Sequence, residues 1–244
     1  MSAAARGGYN PAFCVLAAWT SGGSIDGDRI PRSPAGPPMT DIAAIILAAG
    51  RSTRFAGRSD SATKLVAALG GKPLVRHVAE AALLSAARPV IVVTGHQGAE
   101  VEAVLQGLDV SFAANPDYAT GLASSLRRGV AALPATCSGA LILLGDMPLV
   151  SVALIDRLIG AFERGLAEHA PAPLAAAPVK AGERGNPVLL GRDLFAAIAT
   201  LEGDRGARSL IDSLGPRIVE CLVEDDGALV DVDTREALRM LDRA

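Results

Sequence analysis

Residues 39–244 predict one α/β domain on a single doubly wound, mostly parallel sheet, preceded by a disordered N-terminal tail over residues 1–38. Three observations carry that expectation. Short apolar runs alternate with stretches of helical periodicity, the pattern of successive βαβ units. Half of the 244 residues are hydrophobic, enough for a sizeable core in a chain of this length. The opening segment breaks with the rest, because Gly7-Gly8, Gly22-Gly23 and the run from Pro31 to Pro38 punctuate it without sustained periodicity.

Taken in order, the first strand is expected over residues 43–48, followed by a loop rich in Gly and Arg. A helix then opens at Pro73, a residue favoured in a first turn, and continues through Val75, Val78, Ala82 and Leu83. The second strand falls at residues 89–93, a helix at 99–105 and the third strand at 110–113. A loop over 115–121 leads into a helix at 124–132, and the fourth strand occupies 140–144. A long helix over 152–168 comes next. Strands at 174–178 and 187–190, a helix from Leu194 and a strand at 218–223 follow, and Asp231-Val232-Asp233-Thr234 precedes a final helix. A sheet of this kind takes its ligands at the carboxyl ends of its strands.

Charge and cysteine usage remove several classes of function. The net charge of -3 leaves no basic stripe for nucleic acid. Cys14, Cys137 and Cys221 lie far apart without a C-x-x-C pair, so neither a disulfide framework nor a zinc site is expected. Apolar runs fall short of the ~20 residues of a membrane span, and the run from Phe13 to Trp19 lacks the small-x-small site of a signal peptide. A cytoplasmic protein is the expectation.

Three places carry chemistry. After the first strand stands Leu47-Ala48-Ala49-Gly50-Arg51, with Arg54 and Lys64 beyond it. Small residues there let backbone N–H groups approach a phosphate or base edge, and Arg51, Arg54 and Lys64 would neutralise a triphosphate. The alternative is an ordinary strand-to-helix turn with solvated cations. No G-x-G-x-x-G follows a strand, and Gly71-Lys72 is followed by Pro73 without the upstream glycine of a P-loop.

The second place is Gly145-Asp146-Met147-Pro148, where an apolar strand delivers one carboxylate to the sheet edge, as suits a hard divalent cation bridging phosphates. Against this, Asp146 would merely cap the helix near Ser151, although Ser151 is itself a good cap. At the third place, Asp231 and Asp233 sit two apart on one side of an extended segment. Asp233 either completes a metal site or, like Thr234, caps the last helix.

His77 and His169 read as packing or surface residues, whereas His96, after the second strand, is a candidate nucleotide contact. No Ser or Cys stands where a nucleophile would. An acceptor that is already a phosphate needs no general base, only alignment and positive charge around the leaving group.

On these residues the chain resembles the MobA-like nucleotidyltransferase family, and within it the molybdenum cofactor cytidylyltransferases. The resemblance spans residues 41–242. It rests on Leu47-Ala48-Ala49-Gly50-x-x-x-Arg54 with Lys64, on Asn115 through Gly121 to Ser124-Ser125-Leu126-Arg127-x-Gly129, and on Gly145-Asp146-Met147-Pro148. It also uses Gly185-Asn186-Pro187-Val188, Gly203-Asp204-Arg205-Gly206-Ala207-Arg208 and Asp231-x-Asp233-Thr234.

The resemblance implies a Rossmann-like, GT-A-like nucleotidyltransferase fold. It implies transfer of CMP from CTP to the terminal phosphate of molybdopterin with release of pyrophosphate, and a molybdoenzyme or its maturation chaperone as partner. Arg54, Lys64 and Asp146 would form the catalytic set, with Mg²⁺, or Mn²⁺ in its place, on Asp146 and Asp233. Leu47, Ala48, Ala49 and Gly50 would face the base, and Asn115 and Ser124 would lie near base and ribose. Guanylyl-transferring relatives usually carry Leu-Ala-Gly-Gly, so Ala49 favours CTP, and its methyl would crowd a purine.

Two departures bear on Lys64: six residues separate it from Gly57, a longer spacing than usual, and Phe55-Ala56-Gly57 replaces the common Met-Gly. Two alternatives stay open. One is a cytidylyl- or guanylyltransferase acting on another phosphorylated small molecule; the other is a non-catalytic or redox cofactor-handling member of the family.

Overall fold

The computed structural model of the chain describes residues 41–51, 55, 63–203, 206–224 and 226–243. The tail expected over residues 1–38 lies outside them. Strand β1 (Ile42–Ala48) is an uninterrupted apolar run in which every residue is buried, as a strand covered on both faces requires. Its alternation divides the core. Ile42, Ala44, Ile46 and Ala48 join one hydrophobic cluster, and Ile45 and Leu47 join the other.

Beyond β1 the chain makes a small hairpin, β2 (Ala68–Leu69) and β3 (Lys72–Pro73), and then α1 (Leu74–Leu84). The units β4 (Val90–Thr94) with α2 (Gly98–Val104), β5 (Ser111–Ala114) with α3 (Leu122–Ala131), and β6 (Gly139–Leu144) with α4 (Val152–Glu168) follow. The remainder is β7 (Ala175–Lys180), β8 (Glu183–Arg184), β9 (Val188–Gly191), α5 (Phe195–Ala199), α6 (Gly206–Ser213), β10 (Ile218–Leu222) and α7 (Arg235–Leu241).

The main sheet runs β10-β7-β9-β6-β1-β4-β5, with β8 paired to β7. β1 is parallel to β4, with Ile45 opposite Ile91, and parallel to β6, with Ile45 opposite Ile142. Residues of α1, α2 and α4 such as Val78, Val101 and Leu158 cover one face; Leu126 of α3 and Ile198 of α5 cover the other. Winding on both faces is thus as expected.

Two strands depart from the parallel expectation, the first being the short β8, antiparallel to β7. β9 is antiparallel to both neighbours, with Leu189 opposite Leu141 of β6 and Ala176 of β7. The stretch between β7 and β9 holds only the short β8 and no helix, and a parallel return needs a longer crossover.

Placing the chain's excursions on the sheet locates the site. From β1 the chain steps outward to β4 and β5, then returns to β6 on the other side of β1. The strand order therefore reverses between β1 and β6, where such folds open a crevice at the carboxyl ends. A third, smaller cluster of Phe55, Leu74 and Val232, joined by Leu238 and Leu241 of α7, fastens the C-terminal segment beside that crevice.

Candidate active site

A cavity of about 510 Å³ opens at the reversal point, lined by Leu47, Ala49, Gly50, Arg51, Lys64, Leu65, Tyr118, Ala119, Gly121, Leu122, Ser125, Leu144, Asp146 and Asp233. Every stretch that builds it follows a strand or precedes a helix. Gly145 N donates to Leu47 O at 3.1 Å, which ties the loops after β1 and β6 together and sets Asp146 beside the β1 turn. Val232 N donates to Asp146 O at 2.9 Å, which brings the Asp231–Asp233 segment to the same edge although it lies far along the chain.

At this edge sits a four-membered ionic group. Lys64 Nζ lies 2.6 Å from Asp146 Oδ2 and 2.7 Å from Asp233 Oδ1. Asp146, Asp231 and Asp233 can each offer an oxygen within 4.8 Å of the others. Burial by itself pushes the Lys64 ammonium down, but the charges and hydrogen bonds of Asp146 and Asp233 outweigh it, so its pKa is held above the ordinary value. Asp231 is pushed up, first by burial and then by the like charges of Asp233 and Asp146.

Both capping alternatives are resolved by neighbours. Ser151 caps α4, its Oγ accepting from Leu154 N at 3.1 Å, and Thr234 caps α7 by accepting from Ala237 N at 3.1 Å. Asp146 and Asp233 are therefore not the caps of those helices. Three hard carboxylate oxygens around one point fit a divalent cation of the magnesium or manganese type. Lys64 fits the same group as a cation able to turn to a phosphate.

The opposite bank is neutral. Asn115, buried after β5, donates from Nδ2 to Ser124 Oγ at 2.9 Å and to Ser125 Oγ at 3.0 Å, and its Oδ1 accepts from Asp117 N at 3.0 Å. The Ser124 hydroxyl lies 3.0 Å from Asp117 O and 2.8 Å from Gly121 O and donates to one of them at a time. Asn115 and Ser124, expected near base and ribose, thus brace the loop over 115–121 from behind, and Ser125 lines the cavity in their stead. Gly129 explains how α3 comes so near: a Cβ there would fall 2.5 Å from Ile45 Cγ2, so the helix rests directly on β1.

The remaining expected residues divide. Leu47, Ala49, Gly50, Arg51, Lys64, Asp146 and Asp233 line the cavity, whereas Ala48 belongs to the core. Arg54, Asp204 and Arg205 lie outside the described residues. His96 is not a lining residue; its N–H donates to Ala49 O at 3.2 Å, and its ring packs on Tyr118 with centroids 5.8 Å apart. His77 Nε2 donates to Leu69 O at 3.0 Å, a packing role as expected. Burial pushes the thiols of Cys137 and Cys221 up, and neither lines the cavity. The unusual spacing before Lys64 does not keep it from the site.

The sequence motifs point to Asp233 rather than Asp231 as a ligand, although the i, i+2 spacing places both on one side; they do not point to Tyr118. Tyr118 is one of only two tyrosines in the chain and falls inside the strand-end loop already singled out.

A nucleotidyltransferase fold with a carboxylate cluster at its crevice is the class that this arrangement defines. The model of the MobA-like NTP transferase domain matches residues 44–218, and the chain belongs to that family. The bifunctional protein GlmU of Sorangium cellulosum is 34% identical over 172 residues, covering 68% of this chain and 34% of that protein. That of Kineococcus radiotolerans is 40% identical over 130 residues, 52% of this chain and 26% of its own length. The chain thus spans about a quarter to a third of these curated relatives.

Among solved structures, Rv0371c of Mycobacterium tuberculosis superposes with a TM-score of 0.68 at 27% identity, over 84% of this chain and 98% of the other. The same protein is known in a complex with manganese, which superposes with a TM-score of 0.65 at 25% identity and covers 84% and 99%. A nucleotidyl transferase of Methanothermobacter gives a TM-score of 0.67 at 26% identity, covering 83% and 96%.

Proposed function

We propose that the chain is a cytoplasmic, magnesium-dependent cytidylyltransferase that moves CMP from CTP onto the terminal phosphate of molybdopterin and releases pyrophosphate. The observation that carries this reading is the position of Lys64, whose ammonium bridges Asp146 and Asp233 on the lining of the cavity at the ends of the central strands. In the reaction an oxygen of the acceptor phosphate bonds to the α-phosphorus of CTP while the bond to the pyrophosphate oxygen breaks. No proton has to be abstracted, in keeping with a cavity whose lining contains no histidine.

The divalent cation, when bound, supplies positive charge against the phosphate oxygens. Asp146, Asp231 and Asp233 are the residues that would hold it. Lys64 then turns from its carboxylate partners to the phosphates, and the β1 turn, from Ala49 to Arg51, positions the nucleoside. Leu-Ala-Ala-Gly at residues 47–50 supports CTP over GTP. No described helix is long and apolar enough to cross a membrane.

The test is to incubate the protein with each nucleoside triphosphate, Mg²⁺ and molybdopterin, and to weigh the products by mass spectrometry. A CMP adduct with equimolar pyrophosphate is expected. A GMP adduct, or no adduct, would sink the assignment. A second reading, with another phosphorylated acceptor, would show as pyrophosphate release from CTP only when that acceptor replaces molybdopterin.

A further inference from the structure

The methyl group expected to crowd a purine is not free to do so directly. Ala49 is 3% exposed, and its Cβ packs toward Gly95 at the end of β4: a Cβ added at Gly95 would lie 2.7 Å from Ala49 Cβ, 3.0 Å from Ala49 O and 2.8 Å from Tyr118 Cβ. Contacts that short are far inside van der Waals separation, so the β1 turn and the β5–α3 loop close over a residue with no side chain. His96 N–H to Ala49 O at 3.2 Å fastens the same junction.

Tyr118 stands on top of this junction and lines the cavity. Its ring is held from two directions. The Arg51 guanidinium lies 5.6 Å from its centroid, and the His96 ring lies 5.8 Å away, tilted by 47°. Contacts from two sides favour one placement of the ring beside the cavity. The strand order sets which end of the cavity it bounds: β4 and β5 lie on one side of β1, and β6, with Asp146, on the other. Charged phosphates belong with Lys64, which leaves the Ala49–Tyr118 end for the base.

We propose that Tyr118 is a wall that admits a pyrimidine and turns away a purine, and that Gly95 is the positioning residue that sets the wall's distance from Ala49. This rests on the nucleotidyl-transfer reading of the cavity. Selection by Ala49 is then indirect, since its methyl fills the space beneath the wall.

The experiment is calorimetric binding of CTP and of GTP to the full chain with Mg²⁺ and no acceptor, with melting curves for each variant. Wild-type protein is expected to prefer CTP, and Tyr118→Phe to keep that preference. Tyr118→Ala should lose about tenfold or more of the discrimination, mainly by gaining affinity for GTP. Tyr118→Leu removes the ring but keeps an apolar side chain over Ala49, and gives the same reading should the alanine variant not fold. Gly95→Ala, which wedges the two loops apart, should move the ratio the same way; a purely structural glycine would lower the melting temperature and leave the ratio alone. Unchanged discrimination in the Tyr118→Ala and Tyr118→Leu variants, or equal binding of both nucleotides by wild type, overturns the wall alone. Wild-type protein that binds neither nucleotide overturns the reading of the site and the wall with it.

Discussion

Across the cavity from one another, the bank after β5 and the bank after β6 hold their polar groups by different means. On the first, Asn115 meets Ser124, Ser125 and Asp117, all within a few residues of one loop and the helix it enters. On the second, Lys64 meets Asp146 and Asp233, drawn from three distant stretches of chain. The neutral bank is a closed network whose donors and acceptors satisfy each other, so its shape is fixed before any ligand arrives. The charged bank is a provisional arrangement. On the proposed reading, its lysine and carboxylates would exchange one another for phosphate and a cation. Such a difference suits a site with a rigid recognition end and an exchangeable reaction end.

The largest expected effect tests the charged bank. Asp146→Asn keeps shape but removes the charge that would hold Mg²⁺ against the phosphates, and turnover should fall by about a hundredfold or more. The variant should also lose up to about 1 kcal/mol of stability with the ion pair to Lys64, as partly exposed pairs do. Steady-state kinetics at saturating Mg²⁺ and a melting curve give both numbers. Near-normal turnover would remove Asp146 from the mechanism.

Asn115→Ala probes the neutral bank. It strips partners from two hydroxyls and from Asp117 N in a buried setting, and should cost about 1–3 kcal/mol of stability by denaturant unfolding. CTP affinity should weaken as the loop loosens, while Mn²⁺ affinity, read without nucleotide, stays the same. A variant that loses metal binding as well would mean that the two banks are not independent.

How far each bank could be read beforehand follows the same division. Asp146 was legible because an apolar strand, a Gly and a Pro frame it, and strand-end placement needs only local pattern. The long helix over 152–168 was readable for the same reason, with its bounds matching α4 and Ser151 as its cap. The direction of β9 was not, because pairing sense depends on where a short segment lands among strands remote in sequence. Asn115 and Ser124 were correctly gathered into one motif, yet their side chains face each other rather than the cavity, a fact that residue type does not encode. Asp231 joins the carboxylates through contacts remote in sequence, among them the backbone bond from Val232 to Asp146. Tyr118 matters through the missing Cβ of Gly95, a clearance visible only in three dimensions.

The smallest expected effect concerns Asp231 in the metal-free protein. Burial, then the charges of Asp233 and Asp146, raise its pKa above the ordinary carboxylate value of about 3.9. Between that value and the raised one, the folded protein holds more protons than the unfolded chain, so stability falls as pH climbs through the window. Above the raised value the penalty is constant; below about pH 3.9 it disappears, because both states are protonated. Asp231→Asn removes the ionisation and should therefore melt above wild type at pH 7 and level with it near pH 3, by less than the change at Asn115. Adding Mg²⁺ with CTP should reverse the order at pH 7, since the cation then stabilises only the chain that keeps the third carboxylate. A variant that melts at or below wild type in metal-free buffer at neutral pH would show that Asp231 is not strained by its neighbours, and would take it out of the charged bank.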